Sequence, residues 1–249
     1  MTIPHLEVRD ARAAAAGAPV KRSYVQRIFS EIAPRYDLLN RLLSGGIDRS
    51  WRRAAIAALD VERRPSGTYL DLCAGTLDVG AAISRCPGFR GHIVGADFAE
   101  PMLRAGRGKA SPAVLAPVVA DALSLPLADA SCDGAIVAFG IRNVIDVRAA
   151  FHEVLRVLAP GGRFVVLEFS TPRSALVRWT YELYSRRVLP LVGALISGHP
   201  TAYRYLPESI AKFPSGEKLK VVMSEAGFAG VSVTPLTFGV AAIHVGEKG

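Results

Sequence analysis

The sequence predicts an α/β fold built on a mostly parallel sheet, and two observations lead to that prediction. Between about residues 68 and 169, short apolar runs that end in or near an acidic residue alternate with segments of helical periodicity. This alternation is typical of βαβ units, whose strands run parallel. Half of the 249 residues are hydrophobic and 21% are charged, which indicates an ordinary core and excludes a disordered chain.

The amino-terminal part is predicted to be helical. Residues 1–20 are rich in alanine and are expected to form a flexible tail. Apolar residues three and four positions apart then predict helices at 24–32, 36–43 and 48–59. A proline and a pair of glycines separate them, as helix breakers do. Residues 21–60 are thus expected to form a helical segment before the sheet, within one domain that spans 21–249.

The sheet is predicted from runs rich in Val, Ile, Leu and Phe that are bounded by turn residues. The strands are expected at 68–73, 92–97, 118–121, 133–139, 163–169, 231–234 and 240–245. The helices between and after them are expected at 78–85, 101–109, 149–158, 174–187 and 218–226. Residues 171–215 interrupt the strand–helix rhythm, and they are interpreted as a cap inserted into the domain.

Composition narrows the partners and the compartment. The chain carries 30 Lys+Arg against 22 Asp+Glu, a net charge of +8, which suits an anionic partner or an acidic membrane surface. Three scattered cysteines show no disulfide framework and no zinc spacing, so no metal is expected. Charged residues near the start do not resemble a signal peptide, and no apolar run reaches the ~20 residues of a membrane span. The prediction is a cytoplasmic protein, with peripheral contact at the inner face of a membrane as an alternative.

Three predicted strand ends carry residues suited to a nucleoside. A turn of small residues, Ala74 to Thr76, follows the first strand, and Asp97 ends the second, 22 residues beyond Gly75. Small turn residues let a backbone approach a ligand, and a carboxylate at about this distance accepts hydrogen bonds from a ribose diol. Asp121 could bind an adenine amino group. Neither a G-x-G-x-x-G motif nor a P-loop is present, and the order instead resembles the S-adenosylmethionine-dependent methyltransferases with a Rossmann-like sheet.

Longer stretches are similar to one family, the ubiquinone/menaquinone-biosynthesis C-methyltransferases. They are residues 36–51 (YDLLNRLLSGGIDRSW), 139–144 (FGIRNV), 156–170 (RVLAPGGRFVVLEFS) and 203–210 (YRYLPESI). The resemblance implies a Rossmann-like methyltransferase fold with a seven-stranded, mostly parallel sheet, helices on both faces and a helical cap. It also implies S-adenosyl-L-methionine as cofactor and a prenylated quinol as substrate. Demethylmenaquinol is the first candidate, and the resemblance does not separate a naphthoquinol from a benzoquinol.

The family resemblance implies a set of site residues. Cofactor binding is expected from Asp71, Gly75, Thr76, Asp97, Asp121, Ala122 and Ala138. Catalytic roles are expected for Arg142, Asn143 and Tyr36, and substrate binding for Asp37, Asn40, Phe139 and Tyr203. Other interpretations stay open: Arg142 as a salt bridge that holds its loop, Tyr36 as a helix-packing residue, and Tyr203 as part of the cap packing.

The sequence also departs from the family pattern. The usual glycine after the turn threonine is Leu77, and the Met and His of the first signature are Leu39 and Asp48. If residue 77 needs a positive φ, a leucine there is strained by about 1 kcal/mol or more, which bears on cofactor affinity. The departures motivate two alternatives, namely a methyltransferase for a small aromatic metabolite and a non-catalytic scaffold of a quinone-biosynthesis complex.

Two partners are considered besides the substrate. Residues 174–206 interleave aromatic and aliphatic residues with arginines, which fits either a groove for a polyprenyl tail at a membrane or a cap helix packed on the sheet. No motif typical of a nucleic-acid methyltransferase is present, so no nucleic-acid partner is expected. A homodimer stays open, because the sequence does not reveal an oligomeric state.

Overall fold

The computed structural model describes residues 21–172, 174–183 and 202–249. The predicted tail, 1–20, and residues 184–201 of the predicted cap lie outside the described residues. The helices are α1 Lys21–Ile32, α2 Tyr36–Leu43, α3 Ile47–Leu59, α4 Asp78–Ile83, α5 Glu100–Ala105, α6 Val147–Val157, α7 Ala175–Leu183, α8 Ala202–Lys212 and α9 Gly216–Glu225. The strands are β1 Thr68–Leu72, β2 His92–Asp97, β3 Leu115–Val119, β4 Cys132–Ala138, β5 Leu158–Phe169, β6 Phe228–Leu236 and β7 Ala241–Lys248.

The seven strands form one sheet in the order β3-β2-β1-β4-β5-β7-β6. Strands β1 to β5 run parallel, and β7 pairs antiparallel with both β5 and β6. The predicted mostly parallel, seven-stranded sheet is therefore confirmed. The chain order reverses between β1 and β4, and ligands of open α/β sheets bind outside the carboxyl ends of the strands at such a switch point.

Helices cover both faces of the sheet because the strand side chains alternate. Leu70 and Leu72 of β1 belong to one buried cluster with α6 and α9, whereas Tyr69 belongs to the opposite cluster with α3 and α4. The period-two alternation of a strand sends neighbouring side chains to opposite faces. Both faces are apolar as a result, as a parallel sheet requires.

Several predicted boundaries were wrong, and the edges of the sheet explain two of them. Strand β3 is Leu115–Val119 rather than 118–121, because Pro117 is tolerated in this edge strand. Asp121 lies beyond the strand, in an isolated bridge to Ser124. The other edge strand, β6, likewise extends through Pro235 to Leu236. Strand β5 begins at Leu158, because Leu158 already pairs with Cys132 of β4, and an irregularity over residues 159–162 precedes the regular pairing that starts at Arg163.

Helix α1 lies near the carboxyl ends of the strands. Helix α1 buries Lys21, Tyr24, Val25, Ile28 and Ile32, whose spacing places them on one helical face. Gln26 Nε2 donates to the carbonyl oxygen of Phe98, just after β2, over 3.2 Å. Within the described residues, no helix is long and apolar enough to span a membrane.

Candidate active site

An open cavity lies at the carboxyl ends of β1, β2 and β4. The strand ends and the loops that follow them contribute Leu72, Cys73, Gly75, Ala96, Asp97, Phe98, Met102, Ala120, Asp121, Ala122, Leu123, Ala138, Phe139, Gly140, Asn143, Val144 and Ile145. The amino-terminal segment contributes Arg22, Phe29 and Tyr36. The site thus joins the predicted cofactor residues to the predicted acceptor residues.

Asp97 sits at the end of β2 with its carboxylate held by the backbone. Its Oδ2 accepts from Gly75 N and its Oδ1 from Ala99 N, each over 2.8 Å. A carboxylate has about four acceptor positions, so these two bonds leave acceptor capacity for a hydroxyl of a ribose. Burial raises the pKa of Asp97, and the backbone hydrogen bonds oppose that rise by favouring the anion.

Asp71 supports the turn from beneath. Its side chain is buried, and its Oδ2 accepts from Gly80 N in α4 over 2.8 Å. Burial raises the pKa of Asp71 to about 7, although the hydrogen bond from Gly80 and the charge of Arg52 oppose the rise. Asp71 is outside the described lining of the cavity. Its position suits shaping the turn rather than touching a ligand.

The turn after β1 contains two residues with positive φ besides Gly75. Cys73 has φ 53°, Gly75 has φ 52°, and Leu77 has φ 63°. The condition for strain at residue 77, a positive φ, is therefore met. The Leu77 side chain is only 3% exposed. A Cβ added at Gly95 would lie 2.5 Å from Leu77 Cδ2, so the missing side chain at Gly95 makes room for the leucine.

Thr76 and Asp37 are hydrogen-bonded to each other. Thr76 Oγ1 donates to Asp37 Oδ1 over 2.5 Å. Lys109 Nζ donates to both Asp37 Oδ2 and Asp78 Oδ1 over 2.6 Å. Among the residues that the structure describes, Thr76 and Asp37 lie outside the cavity lining. The network ties α2 to the cofactor turn, and a direct ligand contact for either residue stays a prediction.

Asp121 and Ala122 lie on the cavity wall as predicted. Asp121 Oδ1 accepts from Leu123 N over 3.0 Å, and its Oδ2 pairs with Arg22 Nη2 at 3.0 Å. Arg22 belongs to α1, so this ion pair joins the helix to the far side of the cavity. Nothing in the sequence pattern indicated Arg22, because a surface arginine at a helix start is usually solvated.

The predicted acceptor end is aromatic. Phe139 has φ 60°, and its ring centroid lies 4.7 Å from that of Phe169 and 6.0 Å from that of Trp51. Tyr36 lines the cavity, and its ring packs edge-on against Phe29 at 5.9 Å. The helix packing left open for Tyr36 is therefore present together with its contact with the cavity. The side chains of Asn40 on α2 and Tyr203 on α8 lie outside the described residues.

Arg142 is turned away from the cavity toward Glu168. Its Nη1 contacts Glu168 Oε1 at 2.9 Å and also donates to the carbonyl oxygen of Phe139. Both side chains of the ion pair are buried. Burial raises the pKa of Glu168, and the charge of Arg142 opposes that rise. Arg142 is outside the described lining, so the loop-holding salt bridge is present, and any catalytic role would act through this loop.

Two residues that the sequence prediction missed hold the same loop. Lys21 Nζ donates to the carbonyl oxygens of Arg142 and Val144 over 3.0 and 2.9 Å, and burial lowers the pKa of Lys21. Tyr205 Oη donates to Asn143 Oδ1 over 3.1 Å. The stretch 203–210 was a signal for Tyr205, whereas Lys21 offered none. Within the described part of the chain, no cluster of His, Cys, Asp or Glu could hold a metal ion.

The sheet, with an open cavity at its switch point, has the Rossmann-like fold that solved SAM-dependent methyltransferases share. A SAM-dependent methyltransferase of Thermotoga maritima, described as a possible histamine N-methyltransferase, superposes with a TM-score of 0.61. It is 20% identical and covers 90% of this chain and 99% of its own. At that identity the likeness shows the fold.

The chain belongs to the ubiE/COQ5 methyltransferase family, whose model matches residues 18–248. It is 52% identical over 224 residues to the demethylmenaquinone methyltransferase of Thermus thermophilus, covering 89% of this chain and all of the relative. It is 45% identical over 233 residues to the ubiquinone/menaquinone biosynthesis C-methyltransferase UbiE of Geobacter sulfurreducens, covering 92% of this chain and 90% of the relative. The predicted family and enzyme class are therefore confirmed.

Proposed function

We propose that the chain transfers a methyl group from S-adenosyl-L-methionine to a ring carbon of a prenylated quinol, with demethylmenaquinol as the first candidate. The proposal depends on one observation: Asp97, Asp121, Phe139 and Asn143 line the same cavity. The names of the relatives from Thermus thermophilus and Geobacter sulfurreducens support the same chemistry.

The cofactor end has groups that fit an S-adenosyl nucleoside. The remaining acceptor capacity of Asp97 suits a ribose hydroxyl, and Asp121 with Ala122 suits an adenine edge. A Cβ at Gly75 would lie 3.3 Å from Met102 Cε, so glycine keeps the backbone open to a close ligand. When bound, the cofactor supplies a methyl group on a positively charged sulfur, which is already an activated donor.

The acceptor end is suited to a flat aromatic ring. Phe139 and Tyr36 present aromatic surface, and Asn143 offers a polar side chain beside them. The chain's main contribution is to hold the ring so that one carbon lies in line with the transferred methyl group. A ring carbon ortho to a hydroxyl becomes nucleophilic as that hydroxyl loses its proton. The quinol rather than the quinone should therefore be the acceptor.

Arg142 supports this arrangement by fixing the loop that carries the acceptor residues. Its ion pair with buried Glu168 and its bond to the Phe139 carbonyl fix the loop 139–143. Removing one partner would leave a buried charge without compensation, which is strongly destabilising. We assign Arg142 the role of positioning Phe139 and Asn143 at the acceptor.

Peripheral contact with an anionic membrane is part of the proposal. Helix α7 exposes Leu176, Trp179 and Leu183, three and four residues apart and therefore on one face. Trp179 is 63% exposed, and the net charge of +8 favours anionic lipid. Sedimentation with vesicles should increase with anionic lipid content and fall in Trp179→Ala. Binding that ignores lipid charge would contradict this part.

Turnover of purified protein tests the proposed function. Radiolabelled S-adenosyl-L-methionine is offered with demethylmenaquinol, with oxidised demethylmenaquinone and with short phenols that lack a prenyl tail. Labelled product is expected from the quinol, with little from the quinone. Preferred turnover of short phenols would favour the alternative of a small aromatic metabolite, and no cofactor binding at millimolar concentration would favour the scaffold.

A further inference from the structure

Tyr205 reaches the acceptor end of the cavity through one hydrogen bond. Its Oη donates to Asn143 Oδ1 over 3.1 Å. The side chain is 3% exposed, and its ring centroid lies 5.9 Å from that of Tyr24. Tyr205 belongs to α8 and Tyr24 to α1. Two helices from opposite ends of the chain therefore contribute to the position of this phenol.

The Tyr205 hydroxyl keeps its proton under physiological conditions. Burial raises the pKa of Tyr205 to about 12; the positive charge of Arg142 opposes that rise, and the negative charge of Glu168 adds to it. A neutral phenol has one proton to donate, and a side-chain amide has an oxygen acceptor and an NH₂ donor on opposite branches. Because the Tyr205 proton engages the Asn143 oxygen, the orientation of the whole amide is fixed.

Asn143 also has a fixed backbone. Its N–H donates to the Gly140 carbonyl over 3.0 Å in the turn Ile141–Asn143. Lys21 binds the carbonyls on either side of Asn143. Asn143 lines the cavity next to Gly140 and Phe139. A rigid backbone and an oriented amide together define which of its polar groups is free to face a ligand.

We propose that Tyr205 is a positioning residue that orients Asn143 so that its amide NH₂ donates a hydrogen bond to the reacting oxygen of the acceptor in its anionic form. The inference rests on the proposed function. Tyr205 acts through Asn143 and does not itself touch the acceptor. An amide turned the other way would present its oxygen to the anion and repel it.

The reaction explains why a donor is needed there. The acceptor hydroxyl first loses its proton to water, which leaves a negative charge shared by the oxygen and the ortho ring carbon. That carbon forms the new bond to the methyl group while the methyl–sulfur bond breaks and its electron pair stays on sulfur. The ring-carbon proton then leaves to water, which restores the aromatic ring. A donor at the oxygen favours the first step, because it stabilises the anion more than the neutral hydroxyl.

The first test measures ionisation of a bound phenol. The probe is 4-nitro-1-naphthol, whose anion absorbs visible light, bound to the protein with S-adenosylhomocysteine. The wild-type protein should lower the pKa of the bound probe below that of free probe. Tyr205→Phe should weaken this ionisation by about 3- to 10-fold, the scale of one ordinary net hydrogen bond. Tyr69→Phe, which removes a buried hydroxyl that donates to the carbonyl oxygens of Val61 and Arg64 outside the cavity lining, is the matched control and should behave as wild type.

The second test separates orientation from general stability. Tyr205→Phe should lower kcat on demethylmenaquinol about 10-fold without changing KM for S-adenosyl-L-methionine. In an Asn143→Ala background the same substitution should have no further effect, because the amide that it orients is gone. Equal losses in both backgrounds, or a bound probe whose pKa is the same in wild type and Tyr205→Phe, would overturn the inference.

The two tests also distinguish this inference from the proposed function. A wild-type protein that shifts the pKa of the probe in a Tyr205-dependent way, yet does not methylate the quinol, contradicts the proposed substrate and supports the role of Tyr205. A wild-type protein that methylates the quinol but shows no Tyr205-dependent effect contradicts the role of Tyr205 alone. A wild-type protein that binds no probe contradicts the inference.

Discussion

Replacing Leu77 by alanine and by glycine separates backbone strain from side-chain burial in the cofactor turn. Leu77 has φ 63° and ψ 20°, a region that costs a residue with a Cβ about 1–2 kcal/mol. Leu77→Ala keeps that strain and loses most of the buried side chain. Leu→Ala at core positions costs about 2–5 kcal/mol. The space between Gly95 and Gly106 is shaped by backbone and cannot easily close.

Leu77→Gly loses the same side chain but also relieves the strain. The greater freedom of glycine in the unfolded chain offsets about 0.5–1 kcal/mol of that relief. The glycine variant should therefore be more stable than the alanine variant by about 1 kcal/mol, the reverse of the order in a helix. Both should be less stable than wild type, because the lost burial exceeds the strain.

Urea denaturation with linear extrapolation measures these differences. The matched control is Ala54→Gly within α3, where glycine should be about 0.5–1 kcal/mol less stable than alanine. An alanine variant at residue 77 that equals or exceeds the glycine variant would refute the reasoning. It would mean that the left-handed backbone at Leu77 stores no more strain than the ~0.5–1 kcal/mol that the freedom of glycine costs.

Three further predictions follow from the contacts of the site. Asp97→Asn should weaken S-adenosyl-L-methionine binding about 10- to 100-fold in calorimetry, because the amide has fewer acceptor positions than the carboxylate. The control is Asp129→Asn, at an exposed residue. Unchanged affinity in Asp97→Asn would contradict the assignment of Asp97 to the ribose. Glu168→Gln should destabilise the fold by about 3–5 kcal/mol, because buried Arg142 loses its counter-charge. The double variant Glu168→Gln with Arg142→Met should recover part of this stability in denaturation measurements. Additive losses in the double variant would argue against coupling of the two residues. Burial raises the pKa of Asp71 from its ordinary value of 3.8 to about 7, so between these pH values the unfolded state releases a proton that the native state keeps. The free energy of unfolding should therefore fall with rising pH by up to about 1.4 kcal/mol per pH unit. Asp71→Asn should show a shallower fall, and identical slopes in the two proteins would contradict the pKa shift.

The sheet could be predicted from sequence because each strand is a local pattern. The run 68–73 and the run 92–97 are apolar, short and bounded by turn residues, so their lengths were nearly right. The edge strands were predicted less well. Pro117 and Pro235 argue against a strand by propensity, yet both lie in edge strands where a missing N–H costs no ladder bond. Whether a strand lies at the edge of the sheet depends on the assembled fold, so the local sequence does not reveal it.

The site could likewise be predicted where it depends on local sequence, but not where it depends on contacts between distant residues. Asp97, Asp121 and Phe139 lie at or just after the ends of strands, so their meeting at one edge could be predicted from topology. The contacts of Arg22, Lys21 and Tyr205 join residues separated by 99, 121 and 62 positions, which no local pattern encodes. Arg142 shows the opposite case. Its motif was recognised, but its partner Glu168 lies on a neighbouring strand and turns the guanidinium away from the cavity.

The position of the transferred methyl group tests the proposed function most directly. Protein, S-adenosyl-L-methionine with a ¹³C-labelled methyl group, and demethylmenaquinol are incubated under reducing conditions, and the product is analysed by ¹³C-resolved NMR. The account predicts the label on a ring carbon ortho to a hydroxyl, with turnover that depends on Asn143 and Tyr205. A label on oxygen, or no label on the quinol while the cofactor is bound, would contradict the proposed C-methylation.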